Sequence, residues 1–182
     1  QEMARKTSKL LGIRRHPEIL VVPAKLSPFV WWTGGRVRIV LPEGLAEEIA
    51  PAHLRDVLAH ELGHVRRGDH LVRWLEWLTG VAFWWNPLFW LARRQRRLHE
   101  GIGCDALVLH SLETEPRRYG ESLLSVVEFL STPAIRPPAV ASVMLTGGQL
   151  ERRLKMIVSR RATLAPRWLQ ATILTATALL LP

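Results

Sequence analysis

Leu58-Ala59-His60-Glu61-Leu62-Gly63-His64-Val65-Arg66-Arg67-Gly68-Asp69-His70-Leu71 is the stretch whose reading decides the fold. Leu54, Val57, Leu58, Leu62 and Val65 recur three and four residues apart, the mark of a helix with one buried face. Pro51 suits the first turn, because it lacks an N–H that would go unbonded there. Gly68 is the expected stop, which gives an active-site helix over residues 51–67. On such a helix His60 and His64 lie one turn apart on the same face. Two imidazoles so placed reach a single ion, and zinc suits neutral imidazole with one coordination position left for water. Glu61 projects beside them as a general base for peptide hydrolysis. This is the metalloprotease reading of the spacing. The competing reading is a helix with two surface histidines and a salt-bridging glutamate.

Upstream, Ile19–Val22 and Val37–Leu41 are β-branched runs bounded by Pro and Gly. They predict two strands, a hairpin over residues 18–42 joined through Trp31, Trp32, Gly34 and Gly35. The strand over Val30–Leu41 also offers an edge to which an extended peptide can add. Downstream the chain reads as helical: Leu71 to Ala82, then Leu88 to Leu109 after a break at Asn86-Pro87, then Tyr119 to Leu130. Pro133, Pro137 and Pro138 mark a loop. Thr146 and Gln149 have capping-box spacing, opening a helix that carries Leu150, Leu154 and Ile157 inward. The fold class expected is α+β, mostly helical, with residues 1–165 as one domain.

The 182 residues include 25 Lys and Arg against 16 Asp and Glu, a net charge of +9. That balance suits nucleic acid, an anionic phospholipid surface, or a solvated basic face. No recognised nucleic-acid motif accompanies it. The single cysteine, Cys104, excludes an internal disulfide and fits a reducing compartment. It reads as a small buried residue. The chain opens at Gln1, which reads as a piece of a longer protein. Residues 166–182 are apolar but short of the roughly 20 residues that span a bilayer, so they read as the start of a transmembrane helix. Eight tryptophans are present. Trp74, Trp77, Trp84, Trp85 and Trp90 cluster in one segment ahead of Arg93, Arg94, Arg96 and Arg97. Either this stretch lies at a membrane–water boundary, or it is a Trp-rich pair of core helices.

Several ordered blocks bear a resemblance to the BlaR/MecR-type antirepressor metallopeptidases, the β-lactam sensor-transducers and their relatives. These are Leu58–Leu71, Phe83-Trp84-Trp85-Asn86-Pro87-Leu88-Phe89-Trp90, Cys104-Asp105-Ala106-Leu107-Val108, Ser27-Pro28-Phe29 and Ile39-Val40-Leu41-Pro42. The resemblance implies a gluzincin-like zinc domain held at the bacterial inner membrane, its active site toward the cytoplasm. It implies a protein substrate such as a cytoplasmic repressor, and it gives Asp105 the role of orienting a histidine ligand. One departure stands out. The family's third zinc ligand is a Glu four residues before the Asp of Cys-Asp, and that position here is Gly101. Glu100 is adjacent, but one residue turns a helix by about 100°. Gly101 and Gly103 each weaken a helix by about 1 kcal/mol relative to Ala, enough to let a distorted turn bring Glu100 in. The other solutions are ligation by Asp105 and a water in the third place. A relative that keeps the fold but not the full zinc shell, serving as a membrane-tethered signalling or scaffold module, is the alternative to an endopeptidase.

Overall fold

The central element is a helix that buries charge as well as hydrocarbon. In the computed structural model, which describes residues 1–33, 35–131 and 147–159, it is the third of seven helices among those residues. In chain order the elements are α1 (Glu2–Leu10), β1 (Glu18–Val22), β2 (Phe29–Thr33), β3 (Arg36–Pro42), α2 (Leu45–Glu48), α3 (Pro51–Arg67), α4 (Asp69–Ala82), α5 (Pro87–Ser111), α6 (Pro116–Ser131) and α7 (Gly147–Val158). Helix α3 has Pro51 in its first turn and ends at Gly68, whose φ of 70° is the left-handed conformation glycine adopts without penalty. Leu58 and Leu62 pack with Ile39, Leu45 and Phe129 into one core. Asp56, His60, Glu61 and His64 are buried on the same helix.

The strands pair differently from the expected hairpin. The sheet order is β1-β3-β2. β1 runs parallel to β3, with Ile19 opposite Ile39. β2 is the antiparallel partner of β3, with Val30 opposite Ile39. Trp31 and Trp32 are therefore strand residues, and the reversal falls at Gly35, where φ is 85°. Once β1 crosses to the far side of β3, the tight turn can serve only the β2–β3 pair. It follows that β3 is central and paired on both sides. The open edge on the hairpin side belongs to β2, so only the Phe29–Thr33 part of the expected edge is available.

The helical expectations hold closely. Asn86 caps α5, its side chain accepting from the Leu88 N–H at 2.9 Å, with Pro87 following in the first turn. α5 then continues as regular helix through Gly101 and Gly103. The local distortion expected at these glycines does not occur. Their open Cα faces are instead filled by arginines: a Cβ on Gly103 would collide with the Arg67 guanidinium, and one on Gly101 would touch Arg153. In α7, Ile157 is fully buried, and Leu154 lies over Gly120 of α6. The Thr146 cap, most of the proline loop and the apolar tail at 166–182 lie outside the described residues. Among the described residues, no helix is long and apolar enough to cross a membrane.

Candidate metal centre

His60 and His64 come side by side on α3, ring centroids 5.0 Å apart and nearly perpendicular. Each ring is held at Nδ1 by a buried carboxylate from another helix. His64 Nδ1 donates to Asp69 Oδ2 at 2.8 Å. The short turn at Gly68 makes this possible, since α4 begins at the next residue and brings Asp69 back over the end of α3. His60 Nδ1 lies 2.9 Å from the Tyr119 hydroxyl and 3.1 Å from Asp105 Oδ1. Tyr119 itself donates to Asp105 Oδ1 at 2.8 Å. With both Nδ1 atoms engaged, the two Nε2 atoms are the ones left for a ligand.

The electrostatics of the two rings differ. Burial, the largest influence, and the nearby Arg153 cation bring His60 down to about 4 despite Asp105. Burial also works against a charge on His64. It is outweighed by the Cys104 sulfur, the Asp69 carboxylate and Glu61, which together carry His64 well above the usual imidazole range. The Cys104 thiol is itself pushed up by burial, against the pull of His64. Burial raises the Glu61 carboxyl to about 7, in spite of His64 and two arginines. Its Oε2 is buried and has no hydrogen-bond partner among the described residues.

This donor set fits a divalent ion at the two imidazoles, and the unpartnered Glu61 oxygen is of the kind a water or a substrate proton would satisfy. The third place is different. Glu100 is buried, but its Oε1 accepts from Arg73 at 2.7 Å and its Oε2 from Arg96 at 2.6 Å. It meets His64 at Nδ1, 3.4 Å away, rather than at Nε2. Burial disfavours its charge, but His64 and the two arginines hold its carboxyl below the usual range. Asp105 is committed to Tyr119 and to Arg153, whose Nε and Nη2 bind its two oxygens at 2.8 and 2.7 Å. Arg153 Nη2 stands 3.4 Å from His60 Nε2. A second grouping of donors, His64, Asp69 and Cys104, has ligand atoms within 4.8 Å of one another. It would use His64 Nδ1, which the hydrogen bond to Asp69 already occupies.

Of the remaining five histidines, His70 follows Asp69 directly and its ring lies 6.1 Å from that of Trp32. His53 pairs with Ser125 Oγ at 3.0 Å; His16, His99 and His110 are exposed. Sequence reasoning missed Tyr119, Arg73 and Arg153, and the contact of Asp69 with His64. For Asp69 a signal existed, since it directly follows the glycine that ends α3. For the others the separation along the chain hides the contact.

The tryptophan cluster is not core. Trp77 and Trp84 are 61% and 67% exposed, and Trp74, Trp85 and Trp90 are also exposed, so α4 and the start of α5 present an aromatic face to the outside. The arginines behind it are largely turned inward: Arg93 and Arg96 pair with Glu76, and Arg96 also holds Glu100.

Comparison with known proteins places the chain in a family. Over 117 residues the chain is 32% identical to the regulatory protein BlaR1 of Bacillus licheniformis, covering 62% of the chain and 19% of that protein. It is 28% identical over 121 residues to the methicillin resistance mecR1 protein of Staphylococcus aureus, covering 66% and 20%. A shorter match, 38% over 55 residues, joins it to the protease HtpX of Chromohalobacter salexigens, covering 29% and 18%. The matched segments thus span about a fifth of these relatives' length. The profile of the family described as BlaR1 peptidase M56 matches residues 1–157. The chain belongs to the BlaR1 peptidase M56 family.

Proposed function

We propose that this chain is the peptidase domain of a membrane-associated signalling protein, a zinc endopeptidase that cleaves a regulatory protein of the repressor kind. The observation that carries the reading is the pair of imidazoles fixed through Nδ1 by Asp105 and Asp69, with a buried Glu61 oxygen on the same helix that has no partner among the described residues. His60 and His64 would hold the metal through Nε2. When bound, zinc supplies a Lewis acid that polarises a carbonyl and acidifies water. Glu61, raised to about 7, would accept at Oε2 a proton from the water whose oxygen bonds to the peptide carbon, and return it to the amine nitrogen as the C–N bond breaks. Asp105 and Asp69 keep each ring in the tautomer with its proton on Nδ1.

The exposed tryptophans of α4 and α5 support placement against the inner leaflet of the bacterial membrane, because Trp favours the interface between headgroups and acyl chains. Arg94, exposed beside them, adds attraction to anionic lipid.

A second reading has its own observation. Gly101 leaves the third carboxylate absent and Arg153 fills the space beside it, as befits a relative that keeps the fold for signalling or scaffolding without cleavage. One experiment separates the two. The chain and its Glu61→Gln variant are loaded with zinc and incubated with a repressor-type protein substrate. Zinc-dependent cleavage by the unmodified chain, lost in Glu61→Gln while zinc is retained, supports the peptidase. Equal cleavage by both removes Glu61 from the mechanism, and cleavage by neither favours the scaffold.

A further inference from the structure

Arg153 belongs to α7, yet its guanidinium lies at the heart of the candidate centre. It makes a paired contact with Asp105, which is 1% exposed, so this cation is what balances a deeply buried carboxylate. Its Nη2 approaches His60 at Nε2, 3.4 Å away, the nitrogen left over once Tyr119 and Asp105 have taken Nδ1. A Cβ on Gly101 would lie 3.4 Å from Arg153 Nε and 3.5 Å from its Cδ. The position that lacks a carboxylate and the side chain that adds a cation are thus in contact. A guanidinium has five donors and no acceptor, so it cannot assist metal binding at His60. It can only repel an incoming divalent ion at close range.

We infer that Arg153 governs metal loading: its guanidinium occupies the cation place at His60 Nε2 while α7 is docked, and a divalent ion enters as α7 carries Arg153 away from Asp105. The pocket formed by His60, Asp105 and Gly101 then exchanges one cation for another, and α7 is the element that moves. In the docked state Asp105 serves Arg153; in the loaded state its charge is free to support the His60 ring. This rests on the reading that His60 and His64 hold the metal.

The test is zinc affinity, measured by competition with a chromophoric chelator, for the full chain, Arg153→Ala, Arg153→Gln and His60→Ala. Arg153→Gln retains a hydrogen bond to Asp105 without the charge, which guards against loss of folding in Arg153→Ala. Both Arg153 variants are expected to bind zinc roughly 10- to 100-fold more tightly, the size of effect that groups around a metal have on affinity. In the unmodified chain, saturating zinc is expected to speed amide hydrogen exchange in residues 150–158. Unchanged affinity in the Arg153 variants, or unchanged or slower exchange in α7, overturns the inference while leaving the site intact, provided His60→Ala still abolishes binding. Zinc affinity that is indifferent to His60→Ala overturns the underlying reading, and the role of Arg153 with it.

Discussion

The two histidines of α3 share a helix, a burial state and a carboxylate at Nδ1, yet their surroundings push them in opposite directions. His64 takes its nearest carboxylate from nearby sequence, Asp69 five residues on, while Glu100 and Cys104 of α5 close in on the same Nδ1. His60 sits against a carboxylate already neutralised by a cation, and its partners Tyr119 and Arg153 are 59 and 93 residues away. The His64 half is a local pairing folded back by one glycine, with α5 packed against it. The His60 half is an assembly of α5, α6 and α7 that forms only when the whole domain packs. The difference teaches that a compact motif can be half self-contained and half dependent on distant helices, and that the dependent half is where regulation has purchase.

The largest expected effect falls on the assembled half. Asp105→Ala strips the acceptor from Arg153, His60 and Tyr119 together and leaves a guanidinium buried without its anion. Breaking such a buried pair costs about 3–5 kcal/mol, to be read from urea denaturation. A loss below about 1 kcal/mol, within the range of an exposed pair, would show that Arg153 is not held as described. On the local half, Asp69→Asn keeps the shape and an acceptor but loses the charge. A cost of about 1.5–3 kcal/mol is expected, the value of one hydrogen bond to a charged group, along with roughly 10-fold or more in zinc affinity through a loosened His64 ring. If Asp69→Asn proved the more damaging to stability, the division into a local and an assembled half would be reversed.

The same division explains what could be read from the chain itself. His60, Glu61 and His64 were legible because helical periodicity around them fixes their face, and α3, α4 and α5 follow from Pro51, Gly68 and Asn86-Pro87. Asp105 was reachable only through resemblance. Tyr119 and Arg153 were not legible at all: nothing in a lone Tyr on α6 or an Arg within the run Glu151-Arg152-Arg153 marks either as facing a histidine on α3. The strands show the same limit. Their runs of Val and Ile were readable, but the choice of a parallel β1–β3 pair depends on how the link after β1 crosses the sheet. Trp31 and Trp32 read as part of the connection because they adjoin two glycines, whereas they lie within β2. The tryptophan cluster posed a choice between surface and core that composition leaves even, and packing places it on the surface.

The smallest effect sharpens the comparison at two glycines of α5, one in each half. In a regular helix, Gly→Ala is worth about 0.8 kcal/mol in favour of the variant. At Gly101 the new methyl would rest 3.4 Å from Arg153 Nε, an ordinary contact that leaves the pairing with Asp105 undisturbed. Gly101→Ala should therefore be more stable than the parent by roughly that amount. At Gly103 the methyl would fall 1.6 Å from Arg67 Nη1, so Arg67 must swing away and give up its contact with Asp69. An ion pair of this partly buried kind is worth about as much as the helix gain, and Gly103→Ala should come out near neutral. Thermal denaturation of the two variants side by side measures the difference, in which the common helix term cancels. A Gly103→Ala as stable as Gly101→Ala would mean that Arg67 contributes nothing to holding Asp69. The His64–Asp69 pair would then be held by its own hydrogen bond and by the α5 contacts of Cys104 and Glu100.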